Sequence, residues 1–305
     1  MKILITGILG TIGQPLAKEL TLRGHEVWGC DLPHRPGKRY FRADVADFRQ
    51  MEKVLGFTKY DYVFHLAAEF GRLNGEEHYE SVWRTNVIGT RNILELQLRY
   101  DWKLIFASSS EIYGDIAEPL LNERLPATKP IRQKNDYAIS KWVNELQIMN
   151  FEERYSNRVM RLRFFNCYGP GEHYHNYRSV VCLFCYRALH GLRYEVYEGY
   201  HRVFQYIDDF IPTLANATDF FRPGAVCNIG GAEYRSVREM SDIVLRTVGR
   251  DDSIVSYLSE DKHNTVNKCP DITLATLLLG HNPTTTLEKG IPLTIDWMRK
   301  TYGVL

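Results

Sequence analysis

Short apolar runs alternate with longer amphipathic segments through the first 165 residues. The runs cover Lys2–Thr6, Glu26–Cys30, Tyr40–Ala43, Tyr62–Ala67, Lys103–Ser108 and Arg158–Phe164. They are rich in Val, Ile, Leu and Phe, and several lack polar alternation, as strands covered on both faces do. Between them, Gln14–Arg23, Phe48–Gly56, Tyr79–Tyr100 and Asn135–Arg154 carry apolar residues at helical spacing. Strand and helix in repeated alternation predict an α/β fold with a doubly wound parallel sheet.

The pattern changes after Cys167-Tyr168-Gly169-Pro170, where the chain becomes loop-rich and aromatic around one amphipathic segment, Val180–His190. Two later strands, Phe204–Ile207 and Val226–Ile229, are expected to return to the main body. Helices at Val237–Val248, Ile272–Leu279 and Leu287–Tyr302 finish the chain. This divides the protein into a nucleotide-binding domain, 1–167 with 203–228 returning to it, and a smaller interleaved α/β domain, 168–202 with 229–305. A ligand is expected in the cleft between them.

Composition narrows the partners. Lys plus Arg number 38 and Asp plus Glu 37, a formal charge of +1. That balance gives no electrostatic reason to expect a nucleic acid or an anionic membrane as partner. No run approaches the roughly 18 apolar residues of a membrane helix, and the N-terminus enters a strand without signal-peptide layout. The 6 cysteines are sparse and mostly flanked by apolar residues, which fits free thiols in a reducing cytoplasm.

Thr6-Gly7-Ile8-Leu9-Gly10-Thr11-Ile12-Gly13 follows the first strand and opens the first helix. Glycines at this spacing allow a tight turn, close approach to a pyrophosphate and close helix–strand packing, and the helix N-terminus offers its N–H groups to phosphate. Asp31 ends the second strand, where a carboxylate accepts hydrogen bonds from ribose hydroxyls and repels a 2′-phosphate. The reading is a Rossmann-type sheet with NAD favoured over NADP, although Arg35 and Arg39 follow closely.

Tyr137-Ala138-Ile139-Ser140-Lys141 places a phenol and an ammonium four residues apart on one helix face, behind the candidate cap Asn135-Asp136. Tyrosine ordinarily titrates near about 10, and bringing it towards 7 takes about 4 kcal/mol. A lysine and a positively charged nicotinamide ring supply this in a dry site.

With these motifs in order, nearly the whole chain resembles the extended short-chain dehydrogenase/reductase family, in particular its nucleotide-sugar epimerases and dehydratases. The resemblance continues through Asp44-Val45, His65-Leu66-Ala67-Ala68, Asn86-Val87-Ile88-Gly89-Thr90 and Ser108-Ser109-Ser110-Glu111-Ile112-Tyr113-Gly114. It then runs through Arg163-Phe164-Phe165-Asn166-Cys167-Tyr168-Gly169-Pro170 and Arg202-Val203-Phe204-Gln205-Tyr206-Ile207-Asp208-Asp209. It implies NAD held by Gly7, Gly10, Thr11, Ile12, Gly13, Asp31, Asp44, Val45, Leu66, Ala67, Ala68, Asn86, Tyr137, Lys141 and Phe164. It implies a nucleotide-diphosphate sugar held by Glu69, Ser110, Asn166, Arg178, Tyr197 and Arg202, with Arg202 at the diphosphate. Catalysis would fall to Ser109, Glu111, Tyr137 and Lys141. Tyr137 takes a proton from the C4 hydroxyl, Ser109 holds the same oxygen, and Lys141 holds the ribose and activates the tyrosine.

The resulting 4-keto sugar has three fates: hydride return to the other face, loss of water across C5 and C6, or loss of carbon dioxide from a uronate. Glu111 stands where many 4-epimerases of the family carry a small or hydroxyl residue and where dehydratases and decarboxylases carry glutamate. It tilts the expectation towards 4,6-dehydration or decarboxylation, with 4-epimerisation as the alternative. A non-catalytic NAD-binding sensor on the same fold is the competing class, against which Ser109, Tyr137 and Lys141 argue. Leu183 stands where uridine-specific relatives often carry asparagine, so the base stays open. Glu172-His173-Tyr174-His175 and Cys182-x-x-Cys185 lack a partner cluster with zinc spacing, and no metal is expected. Excess apolar positions on Tyr79–Tyr100 and Asn135–Arg154 fit the family's four-helix-bundle homodimer, or burial under the second domain.

Overall fold

A computed structural model describes every residue except Ala232, Glu260, Lys262, Val266 and Leu305, and for Asn267 the backbone alone. The strands are β1 (Lys2–Thr6), β2 (Glu26–Asp31), β3 (Tyr40–Arg42), β4 (Tyr62–His65), β5 (Lys103–Ser109), β6 (Val159–Phe164), β7 (Cys167–Tyr168) and β8 (Tyr194–Tyr197). They continue with β9 (His201–Val203), β10 (Gln205–Tyr206), β11 (Val226–Ile229), β12 (Tyr234–Ser236), β13 (Val255–Leu258) and β14 (Asn267–Lys268). The α-helices are α1 (Gly13–Leu22), α2 (Phe48–Leu55), α3 (Arg72–Glu77), α4 (Tyr79–Val82), α5 (Gly89–Tyr100) and α6 (Leu125–Thr128). After these come α7 (Asp136–Tyr155), α8 (Val180–Leu189), α9 (Ile207–Asn216), α10 (Val237–Val248), α11 (Thr273–Leu279) and α12 (Leu287–Tyr302).

Seven strands form one parallel sheet in the order β11-β6-β5-β4-β1-β2-β3. The α/β doubly wound, Rossmann-type architecture read from the sequence is therefore the one observed. The strands lack polar alternation because both faces are covered. Ile3, Ile5, Phe64, Ile105 and Leu162 enter one buried cluster with Leu16 and Leu20 of α1. Leu4, Val63, Leu104, Phe106 and Val159 enter the other with Met51, Ile93 and Ile148 from α2, α5 and α7. Successive side chains of a strand point to opposite faces, so a continuous apolar run serves two cores at once.

Three expectations need correction. The strand expected over Tyr62–Ala67 ends at His65, because the Thr6 hydroxyl takes the Ala67 N–H at 3.1 Å and draws the chain towards the first loop. Phe204–Ile207 does not join the main sheet. Only Gln205–Tyr206 is strand, and it pairs with Cys167–Tyr168 in a separate two-stranded sheet before α9 begins. Val226–Ile229 does return, as the edge strand beside β6. The segment Tyr79–Tyr100 is not one regular helix, since a π-helical turn, Trp83–Ile88, separates α4 from α5. Such turns insert one extra residue per bond and are frequent at functional sites.

Helix starts follow side-chain chemistry. Asn135 accepts the Ala138 N–H at 2.9 Å to begin α7, and Asp47 accepts the Gln50 N–H at 3.0 Å to begin α2. Ser236 and Glu239 form a reciprocal capping box at the start of α10. Among the described residues, no helix is long and apolar enough to cross a membrane.

The glycine loop is closed by contact. A Cβ on Gly13 would lie 2.3 Å from the Gly7 carbonyl oxygen and 2.8 Å from the Ile8 backbone. Gly13→Ala should therefore lose about 1–3 kcal/mol of unfolding free energy, by analogy with other overpacked sites. Urea titration of the two proteins measures it.

Candidate active site

The carboxyl ends of β1, β4, β5 and β6 put Thr6, His65, Ser109 and Phe164 along one edge of the sheet. A crevice opens there, where ligands of doubly wound sheets bind. Its larger chamber, about 510 Å³, is lined by Gly7, Gly10, Thr11, Ile12 and Gly13 at one end and by Asp31, Asp44 and Val45 beside them. Leu66, Ala67, Ala68, Phe164, Tyr137, Lys141, Ser109, Ser110, Glu111 and Glu69 line the other end. Asp31 has both carboxylate oxygens occupied by backbone, taking the Leu9 N–H at 2.9 Å and the Leu32 N–H at 2.8 Å.

Ser109 ends β5 and caps the short turn that follows, its oxygen accepting the Glu111 N–H at 3.2 Å. Its hydroxyl lies beside the Tyr137 phenol and favours the phenolate. Tyr137 stands on the first turn of α7, where α3 packs so closely that a Cβ on Gly75 would lie 2.9 Å from the Tyr137 nitrogen. Lys141, one turn on, donates to the Ala107 carbonyl at 3.0 Å. Burial lowers the Lys141 ammonium to about 8, opposed by the charge of Glu145. In the chain alone the Tyr137 phenol is raised, not lowered: burial disfavours the phenolate, the Ser109 hydroxyl opposes this, and the Glu111 charge adds to it.

Asn86 does not line the crevice. It is buried in the π-helical turn, where its Oδ1 accepts the Glu69 N–H at 2.9 Å and its Nδ2 donates to the Glu69 carbonyl at 2.8 Å and to Ser140 Oγ at 3.0 Å. It pins the loop after β4 to α7. Asn74 donates to Glu69 Oε2 at 2.8 Å, so Asn86 holds the backbone of Glu69 and Asn74 holds its carboxylate.

A second chamber of about 450 Å³ continues from the first and shares Gly71, Arg72, Glu111, Asn166, Tyr177 and Arg178 with it. Tyr197 and Arg202 line it, with Tyr194, Tyr200 and Lys268. Arg178 lies 5.2 Å over the Phe70 ring. Asn166 adopts a positive φ of 36° and donates to the Val203 carbonyl at 3.0 Å. Arg202 is buried and donates to the His201 carbonyl at 2.8 Å and to Asn264 Oδ1 at 2.9 Å.

Lys268 was not singled out from the sequence. It lies far down the chain on β14, and only the β14–β9 register sets it beside Arg202. Its buried ammonium ion-pairs with Glu111 at the junction of the chambers. Burial disfavours the Glu111 carboxylate, but Lys268, Arg202 and a bond from Asn135 outweigh it and hold the carboxyl below its ordinary range.

The residue clusters without expected metal spacing have other contacts. Glu172 accepts from Ser179 N and Oγ at 2.9 and 2.7 Å at the start of α8, and His173 packs edge-on against Trp297. All six cysteines are free thiols.

The model of the NAD dependent epimerase/dehydratase family matches residues 3–230. The chain belongs to this family. Among its curated relatives is a UDP-N-acetyl-alpha-D-glucosaminuronate decarboxylase of Bacillus cytotoxicus, 32% identical, with 97% of each chain covered. Among solved structures, a UDP-glucose 4-epimerase of Thermotoga maritima with UDP-glucose superposes with TM-score 0.89 at 27% identity, covering 99% of this chain and 100% of that one. A Thermus thermophilus UDP-glucose 4-epimerase in complex with NAD gives 0.87 at 28% identity, covering 98% and 99%. The protein is thus an enzyme of the NAD-dependent epimerase/dehydratase family, with NAD as cofactor. Its own residues fit that cofactor: the glycine loop leaves no room for a Cβ, and a carboxylate closes the end of β2.

In this epimerase/dehydratase the Glu111–Lys268 pair is testable by itself. Lys268→Met leaves a largely buried carboxylate without its cation and should cost about 3 kcal/mol near neutral pH. The folded Glu111 titrates below its ordinary 4.5, so its stabilisation is fully present above that value and is lost as pH falls through the folded one. Thermal melts from pH 7 to pH 3 should show the gap between variant and wild type closing on the acid side.

Proposed function

We propose that this enzyme decarboxylates a nucleotide-diphosphate uronate through a 4-keto sugar. The observation that carries the reading is the charge at the junction of the two chambers. Lys268 sets a buried ammonium against the Glu111 carboxylate, which lines the same chamber as Ser109 and Tyr137. The Lys268 ammonium is a better partner for an anionic C6 carboxylate than for the neutral C6 hydroxyl of a hexose. The relatedness over the full length to a uronate decarboxylase points the same way.

Bound NAD supplies the acceptor for hydride from C4 and returns that hydride later. Tyr137 takes the C4 hydroxyl proton while Ser109 bonds the same oxygen. Since burial alone raises the phenol, its activation depends on the positive charge of the nicotinamide together with Lys141. Once C4 is a ketone, the uronate is a β-keto acid. Breaking the C5–C6 bond releases carbon dioxide and sends the electron pair to the C4 oxygen, which Ser109 and Tyr137 stabilise as an enolate. A proton delivered to C5 from the Lys268 side restores the ketone before hydride returns. Asp31 meets the adenosine ribose, and Arg178, Tyr197 and Arg202 receive the nucleotide part of the substrate. The smaller lobe, 168–202 with 229–305, holds that part, and the protein works in the cytoplasm.

Product analysis distinguishes the fates of the keto sugar. Purified enzyme incubated with UDP-uronates, UDP-glucose and dTDP-glucose should release carbon dioxide from a uronate. Loss of water, or only an isomer of unchanged mass, overturns the reading in favour of dehydration or epimerisation. Tyr137→Phe should lower kcat by at least about a hundredfold, the scale of general acid–base catalysis, while NAD still co-purifies.

The assembly is a homodimer in this reading. Ile88 at the end of the π-helical turn, Leu98 of α5 and Ile139, Leu146 and Met149 of α7 are exposed. An apolar surface of this kind is what a second copy covers in a four-helix bundle. Light scattering should give a dimer for the wild type and a monomer for the Leu146→Glu, Met149→Glu double variant.

A further inference from the structure

We propose that Glu145 is a positioning residue for the reaction, joining α7 to β5 beneath the cleft so that the Lys141 charge and the Ser109 hydroxyl stay in place. It rests on the proton-transfer roles proposed above for Tyr137 and Lys141. Glu145 is fully buried and follows Lys141 by one helical turn, on the same face as Tyr137. Its Oε1 accepts from Ser108 Oγ at 2.5 Å and from Arg163 Nε at 2.9 Å, and its Oε2 accepts from Arg163 Nη2 at 2.7 Å. One carboxylate therefore ties the helix of Tyr137 and Lys141 to the strand that ends in Ser109 and to β6. Ser108 and Ser109 are neighbours on β5 and face opposite sides, so a hold on the first fixes the second where it meets the phenol.

The surroundings make the charge as relevant as the bonds. Arg161 stands 3.8 Å from Glu145 and is also paired with Glu152 at 3.2 Å. Arg163 donates onward to the Tyr113 hydroxyl at 2.9 Å. From β4, His65 faces Lys141 as a neutral ring, lowered to about 3 by burial and by the lysine itself. From β5 come only the Ala107 carbonyl and, at 5.4 Å, the Phe106 ring. Glu145 is thus the anion that opposes the loss of the Lys141 proton in this desolvated setting.

The test combines kinetics with a measurement that needs no substrate. Glu145→Gln removes the anion, so Lys141 deprotonates at lower pH and the alkaline limb of kcat moves down. For a shift of about one pH unit, turnover falls about fivefold at pH 8 and stays within about 1.5-fold at pH 6. Glu145→Asp keeps the charge and should leave the limb where it was. In protein free of NAD and substrate, the NMR signal of 13C-labelled Lys141, assigned by its loss in Lys141→Met, should titrate lower in Glu145→Gln. If that variant does not fold, Arg163→Gln, which removes the counter-cation and leaves the anion beside Arg161, should move the Lys141 titration upward instead. An equal fall in kcat at every pH with the Lys141 titration unmoved overturns the proposal. Because the titration is read without substrate, an incorrect choice of sugar would not affect it.

Discussion

The buried ion pair between Glu145 and Arg163 is the interaction on which the rest of the site depends. A charge taken out of water is tolerated only with a partner and with its remaining hydrogen bonds filled. Here the partner lies on β6, the extra donor is Ser108 on β5, and the carboxylate belongs to α7. Three elements that each contribute to the cleft are therefore held in register by one cluster of buried polar contacts. Above it, Ser109, Tyr137 and Lys141 are kept dry enough for a weakly acidic phenol and a lowered ammonium to matter to one another.

The same logic recurs at the mouth of the second chamber. Glu111 is held ionised by Lys268 and Arg202, against the burial that would protonate it. One ion pair lies under the proton-transfer set and the other lies in front of it. The first belongs to the chemistry of forming a ketone at C4. The second stands at the junction of the two chambers, where Lys268 sets its ammonium against Glu111. Asn86 adds a third constraint: by shifting out of α-helical register within the π turn, it reaches both backbone groups of Glu69 and binds the sugar-side loop to α7.

The linear order of residues determined a great deal. Apolar runs without alternation specified strands covered on both faces, because a parallel sheet between two helical layers has no wet side. The glycine loop and Asp31 were legible because a backbone turn and a strand end are local features. Tyr137 and Lys141 were legible because four residues make one helical turn, and Ser109 with Glu111 because a strand end fixes their direction. What tertiary structure decided was every pairing between distant segments. Lys268 stands 157 positions from Glu111, and only the register of two short strands brings them together. The end of β4 was set by a hydroxyl on β1, and Gln205–Tyr206 was taken by β7 before it could reach the main sheet. Spacing along a helix or strand carries information only over the few residues that its geometry repeats. The partner of a buried charge is chosen by which surfaces meet when the chain closes on itself.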